Sequence, residues 1–345
     1  MVAESTSSVA VLPIRLGGTG GQASRGVRWI RARRSLMLLP RAFLTSHDLE
    51  AVVDVHTTAP RSVNSLLPHA LLPPLELHVA TRSECGPVRS NNEDRFLVVR
   101  FDRSTHALAT NIDEPQLRFL PTQSAWALAV ADGMGGHAAG EVASTLALSL
   151  ALRFSQQGSR WFVSIGEPEA KVITARLEAI VQSVDQAILD HAAGSPPQSG
   201  MGTTLTVLTA VGDCGFVCHV GDSRAYLFRQ GHLVRITRDH TVAQDLVDAG
   251  LLAPEQMAAH HGSQVLTQAM GRGDLVIEMH TFGIQDGDRL LLTTDGLTDP
   301  LQDSEIEQIL AAGDCRAACD RLVERSLAAG SRDNATAVVA DVELP

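Results

Sequence analysis

The sequence predicts an α+β fold: two largely antiparallel sheets packed face to face, with a helix pair on each outer side. Three observations lead there. Strand patterns neighbour strand patterns along the chain, and helix patterns neighbour helix patterns. The helical stretches carry apolar residues at helical spacing and need a sheet to cover. With 345 residues, 44% of them hydrophobic, the chain can bury a sizeable core.

Taken in order, LELHVATRSECGPVRSNNEDRFLVVRF (75–101) reads as strand, loop, strand. Residues 102–124 are polar and hold Pro115 and Pro121, which suits an inserted hairpin loop. WALAVADG (126–133) is an apolar run that stops at Asp132-Gly133, as a buried strand entering a tight loop would. AAGEVASTLALSLALRFSQ (138–156) and EAKVITARLEAIVQSVDQAILDHAAG (169–194) predict two helices, the second ending at Gly194. Residues 201–241 predict consecutive strands separated by turns. Residues 241–262 are helical in pattern, interrupted near Gly250 and Pro254. Strands are expected over 274–284 and 288–296, two helices over 305–330, and a last strand over 334–344.

Charge divides the chain. Residues 1–45 contain seven Arg and one acid, Glu4, whereas the remainder holds 21 basic and 38 acidic residues. An acidic body argues against nucleic acid as a partner and suits divalent cations. Residues 1–77 read as an extension outside the core. GGTGGQ (17–22) has linker composition, and the Arg-rich 26–41 predicts a disordered segment more than a membrane-surface helix or a transit peptide. The folded domain is expected over 78–345. No apolar run approaches membrane-spanning length, and the five cysteines, without a C-x-x-C, read as reduced thiols in a cytoplasmic protein.

Acidic stretches recur where strands meet loops: NNED (91–94), ADGMGG (131–136), GDSR (221–224), TTDG (293–296) and SRDNAT (331–336). The candidate ligands are Glu93, Asp94, Asp132, Asp222, Asp295 and Asp333, with the Gly133 carbonyl beside them. Any one of these aspartates could be a turn residue. Together they form an all-oxygen set, which favours Mg2+ or Mn2+ over zinc. Two such ions can clamp a phosphoryl oxygen and activate water.

The stretches GPVRSNNED, ADGMGGHAAGEVAS, MGTTLT, HVGDSRAYLFRQG, TRDHT, TTDGLTDP and SRDNATAVV resemble, in order, the metal-dependent, 2C-type Ser/Thr protein phosphatases in their bacterial form. The resemblance covers residues 78–343. It implies an α–β–β–α sandwich with two metals at one end of the sheets. It implies hydrolysis of phosphoserine and phosphothreonine by a water bridging the two ions. Asp132 would bridge the metals with the Gly133 carbonyl on one of them, and Asp295 and Asp333 would complete the other shell. Glu93 and Asp94 would act largely through metal-bound water. Asp222 would help hold a third, weaker ion, and Arg89 would bind the phosphate. The expected partners are phosphorylated proteins, with a Ser/Thr kinase of the same bacterium as the opposing enzyme.

Met134 stands where eukaryotic relatives have a histidine proposed as general acid. His137 is a candidate proton donor, a residue that orders the turn is the other reading, and metal-bound water could do the same job. Residues 240–274 fall in the family's flap region, a movable cover. His260-His261 reads as a pair of exposed helix-end histidines.

Overall fold

The computed structural model describes residues 75–103, 123–135, 138–156 and 167–344. These lie in one compact unit that runs from Val53 to Pro345; a second unit, Met1–Val52, lies outside the described residues. The expected extension over 1–77 falls outside them too, except for its last three residues.

One sheet has the order β1 (Glu76–Glu84), β11 (Ala335–Glu343), β10 (Arg289–Thr293), β7 (Arg224–Arg229), β8 (His232–Arg235). The other runs β2 (Asp94–Arg103), β3 (Gln123–Met134), β5 (Leu205–Val211), β6 (Cys214–Val220), β9 (Glu278–Gly283), with the short β4 (Gly202–Thr203) added to β3. Every pairing is antiparallel.

Side-chain alternation explains the layering. Leu290 and Leu292 of β10, with Val338 and Ala340 of β11, face Leu128, Val130, Leu208 and Val217 of the second sheet. Leu291 and Val339, one residue out of phase, pack instead on Ile306 and Leu310 of α5 (Asp303–Leu310) and Leu322 of α6 (Cys315–Ala328). On the far side Ala129 and Ala131 of β3 meet Ala143 and Ala147 of α1 (Ala138–Gln156) and Val184 and Ile188 of α2 (Glu167–Gly194). The result is the expected α–β–β–α sandwich.

Three boundaries differ from expectation. The division at 77/78 falls inside β1: Leu75 and Leu77 are buried in the inter-sheet core, 0% and 5% exposed. The folded sandwich therefore begins no later than Leu75. The predicted insertion at 102–124 is narrower, because β2 and β3 continue to Arg103 and from Gln123; the rest of it lies outside the described residues. The helix expected over 241–262 is α3 (Val242–Asp248) alone, followed by a 3-10 turn at Pro254–Gln256. Gly250 has φ +69, which closes the helix in a left-handed turn.

Candidate active site

The candidate residues sit on strand ends and the loops between them. β2 and β3 pair so that Asp94 lies directly opposite Asp132. Like charges opposed across a ladder are destabilising, so this pairing needs compensation. Asp295 opens the short α4 (Asp295–Thr298) two residues after β10, and Asp333 stands two residues before β11. Asp222 occupies the turn between β6 and β7. A cavity of about 500 Å3 is lined by Glu93, Asp132, Asp222, Asp295 and Asp333, with Gly133, Arg89 and Arg272. Sequence reasoning thus named residues that the fold brings together. Asp94 differs: it is 2% exposed and does not line the cavity.

Local bonding explains the motif residues that are not acidic. Thr203 and Thr204 of MGTTLT clamp the Asp132 backbone: its N–H donates to Thr204 Oγ1 at 2.9 Å, and its carbonyl accepts from Thr204 N at 2.9 Å and Thr203 Oγ1 at 2.8 Å. In GEVAS, Ser144 Oγ donates to the Glu93 carbonyl at 2.6 Å. Glu141 of the same helix turn accepts from Asn91 and Arg95 at 2.9 and 2.7 Å. Asn334 joins two loops: its Nδ2 donates to the carbonyls of Cys85 and Asn91, and its Oδ1 accepts from Glu93 N. Glycine at 133 has a reason beyond an open carbonyl. A Cβ there would stand 2.1 Å from the Gly140 carbonyl oxygen, because the first turns of α1 press against this loop.

The electrostatics set this cluster apart. Burial, and then the charges of Asp94, Asp295, Asp222 and Asp333, push the Asp132 carboxyl well above the ordinary carboxylate range. Burial and the charges of Asp222 and Asp299 do the same to Asp295. Burial pushes Asp94 up to about 6, although hydroxyls of Thr336 and Thr294 donate to its Oδ2 at 2.6 and 2.7 Å. Burial, then Asp239 and Asp299, push Asp222 up to about 7. Asp94 Oδ1 and Asp295 Oδ1 are buried and have no hydrogen-bond partner. Such oxygens in a like-charged, all-oxygen set are what a hard divalent cation satisfies. The donor set therefore fits Mn2+ or Mg2+.

Arg89, half exposed, places Nη2 on Asp333 Oδ2, and this contact holds its guanidinium charged. His137 and Gly136 lie outside the described residues. His260 and His261 stack with ring centroids 4.7 Å apart, and neither lines the cavity. The buried thiols of Cys214, Cys218 and Cys319 are each pushed up to about 12 by burial, which leaves them unreactive. Sequence reasoning missed Thr294, Thr336, Asn334, Gln264 and Arg272. The threonines read as ordinary strand formers, so only the fold marks them.

A second polar cluster lies beyond Asp222. His219, His240 and Glu278 bring ligand-type atoms within 4.8 Å of one another. Their lone pairs and protons are already committed. His219 bonds Thr206 Oγ1 at 2.8 Å and the Arg238 carbonyl at 3.1 Å. His240 accepts from Gly221 N at 3.2 Å and reaches Glu278 Oε2 at 3.2 Å. This is a hydrogen-bonded scaffold.

A family model described as Protein phosphatase 2C matches residues 113–338. The chain is 37% identical over 268 residues to "Serine/threonine protein phosphatase PstP" of Mycobacterium tuberculosis, covering 78% of this chain and 45% of that protein. It thus spans under half the length of that relative. It is 34% identical over 212 residues to "Protein phosphatase PhpP" of Streptococcus pneumoniae, covering 60% of this chain and 82% of that one. Among solved structures, the catalytic domain of PstP in complex with two manganese ions superposes with a TM-score of 0.61 at 34% identity, over 78% of this chain and 99% of that one.

Proposed function

The chain belongs to the protein phosphatase 2C family, and on that premise we propose that it is a metal-dependent protein-serine/threonine phosphatase. The observation that carries this reading is the cluster of carboxylates that lines one cavity beside the Arg89 guanidinium, with Asp94 buried behind it and one oxygen each of Asp94 and Asp295 unpartnered.

In this reading Asp132, the Gly133 carbonyl, Asp295 and Asp333 would hold two divalent cations. Glu93 and Asp94 would act largely through metal-bound water, Asp94 with its unpartnered Oδ1. Asp222 serves a third, weaker ion. Bound there, the cations would polarise the phosphoryl oxygens and supply a nucleophile from water at neutral pH. The chain's own residues do the rest. Arg89 presents a fork that matches two phosphate oxygens, and its exchange from Asp333 to substrate couples phosphate arrival to the carboxylate cluster. Thr204 fixes the Asp132 backbone, and Thr294 and Thr336 hold the Asp94 carboxylate. No cysteine is placed to act as nucleophile.

The substrates are proteins phosphorylated on Ser or Thr, and the opposing enzyme is a Ser/Thr kinase of the same bacterium. The five free cysteines support a reducing, cytoplasmic setting. The test is hydrolysis of p-nitrophenyl phosphate and of a phosphothreonine peptide with Mn2+ or Mg2+, and then with EDTA. Turnover that needs the metal and disappears in Asp132→Ala is expected. Turnover that survives EDTA would sink the metal assignment. Calorimetric Mn2+ binding without any turnover would make the chain a phosphate-recognition module.

A further inference from the structure

The cavity that holds the carboxylates continues into another. A second cavity of about 530 Å3 shares Arg89, Gln264 and Asp333 with the first and adds Val88, Asp299, Pro300 and Arg332, among others. The two form one cleft, and among the described residues three guanidiniums line it. Arg89 is bonded to Asp333. Arg272, in the first cavity, and Arg332, in the second, are both exposed, and neither side chain makes an ion pair among the described residues.

An exposed arginine is ordinarily a solvated side chain on a tolerant loop. Here the backbone that carries each one is fixed. Met270 is fully buried and exchanges two backbone hydrogen bonds with Thr203, at 2.9 and 3.2 Å. Thr203 and Gly202 pair in turn with Gly133 and Met134, so the strand before Arg272 is tied to the Asp132 loop. Gly271 has φ +85, and a Cβ on it would stand 2.8 Å from the Met201 carbonyl oxygen. Asp185 on α2, only 6% exposed, accepts from Gly271 N at 2.5 Å. Burying a carboxylate is costly, and water could have satisfied the Gly271 N–H in an open turn. What the carboxylate adds is a fixed origin for the Arg272 side chain. Arg332 is held from both sides. Ser331 Oγ donates to the Gly296 carbonyl at 2.7 Å, and Asp333 and Asn334 are bound to Arg89, Cys85 and Asn91.

We propose that this cleft takes a phosphorylated peptide whose flanking residues are acidic. Arg272 and Arg332 are the specificity-determining contacts for the flanking carboxylates, and Asp185 is the positioning residue for Arg272. The inference rests on the phosphatase reading above and deepens it. Of the three guanidiniums only Arg89 is bonded to the carboxylate cluster, so it serves the scissile phosphoryl. The other two are left for charges that arrive with the substrate. The acidic body would otherwise favour basic flanks, so an acidic preference requires these local cations.

The test uses the full chain with Mn2+ and three phosphothreonine peptides of equal length, flanked by Glu, by Gln or by Lys. The expected order of kcat/KM is Glu, then Gln, then Lys, with the difference in KM. The gap should shrink in high salt. Arg272→Gln and Arg332→Gln should each lower the Glu-to-Gln ratio roughly 3- to 10-fold, and Arg272→Lys should lower it less. Asp185→Ala should lower the ratio as Arg272→Gln does, through KM and not kcat, with Asp185→Asn retaining part of it. A wild-type ratio of one or below, or a ratio unchanged in both arginine variants, would overturn the proposal. Wild-type turnover of p-nitrophenyl phosphate keeps the two readings separate. If it is absent, the phosphatase assignment fails; if it is present without a flank preference, only this inference fails.

Discussion

Two buried polar clusters meet at the Gly221-Asp222 turn, and they are built on opposite principles. In one, His219, His240, Glu278, Arg224 and Asp239 neutralise one another. Arg224 forks onto both oxygens of Asp239, with contacts of 2.7 to 3.2 Å. Burial alone would raise the Glu278 carboxyl, but hydrogen bonds from His240 and His280 hold it below its ordinary range. In the other, Asp94 is buried and Asp132 and Asp295 stand half-buried beside it with like charge, their carboxyls are driven up, and two oxygens have no partner. A buried charge that is matched within the chain holds structure. A buried charge the chain leaves unmatched waits for something from outside.

The strongest way to break this contrast is Asp295→Asn. Phosphatase turnover should fall by more than about 100-fold, the loss that even an outer-shell partner can cause. In EDTA at pH 7, however, the variant should be more stable than the wild type. The folded-state pKa of Asp295 is raised above its unfolded value, so its charged form costs stability as pH rises. The advantage should therefore narrow as pH falls from 7 toward 4, measured by denaturant unfolding at each pH. A variant less stable than wild type in chelator would mean the cluster is already satisfied.

The matched cluster should respond in the other sense. Arg224→Ala leaves Asp239 buried, 5% exposed at its side chain, without its main counter-ion. Breaking such a pair costs roughly 3–5 kcal/mol of stability. Calorimetric unfolding should show this loss with or without metal. Equal losses for Arg224→Ala and Asp295→Asn in chelator would erase the distinction between the clusters.

His219 gives the scaffold a pH signature of its own. Burial, and then the neighbouring His240, lower its pKa from 6.5 to about 4. The unfolded state therefore takes up the proton first as pH falls. Stability should decline by up to about 3 kcal/mol between pH 6.5 and 4 and then level off. The ring resonances should report a neutral imidazole down to that range; protonation near 6.5 in the folded protein would show that the ring is not sealed.

Much of the carboxylate cluster was legible in the sequence, because an apolar run that closes in Asp-Gly shows both the strand and the carboxylate at its end. Asp132 and Asp295 announced themselves this way. The matched cluster was legible only as motif text, since nothing in TRDHT says that His240 bonds Gly221 or that Asp239 faces Arg224. Those contacts join β6, β7 and the loop after β8, and no spacing rule spans them. Thr294 and Thr336, 42 residues apart, reach Asp94 together only because β10 and β11 are neighbours. The start of the sandwich was misjudged for a similar reason. The 77/78 boundary cuts the strand that the apolar pattern begins at Leu75, and only β11 lying alongside, pairing Leu77 with Val342, shows that Leu75 and Leu77 belong to the core.

Asp222 lies on the border and gives the finest test. Its neighbour Gly221 belongs to the matched cluster, bonded to the His240 ring nitrogen at 3.2 Å and to the His240 N–H at 2.7 Å. Its own carboxyl faces both ways. It lines the main cavity and also a smaller one of about 160 Å3 beside Asp239 and Asp299. Burial and those two aspartates push it up to about 7. In the reading proposed above it would serve the weaker, third cation. Asp222→Ala should leave the fold and the stronger cation binding in place and lower turnover roughly tenfold, equivalent to about 1.4 kcal/mol in the barrier. Isothermal calorimetry with Mn2+ should show the tighter sites retained and the weakest one lost. Loss of all binding would place Asp222 among the unmatched carboxylates proper. Unchanged binding with lowered stability would place it with the histidines, and the border would then run between Asp222 and Asp295.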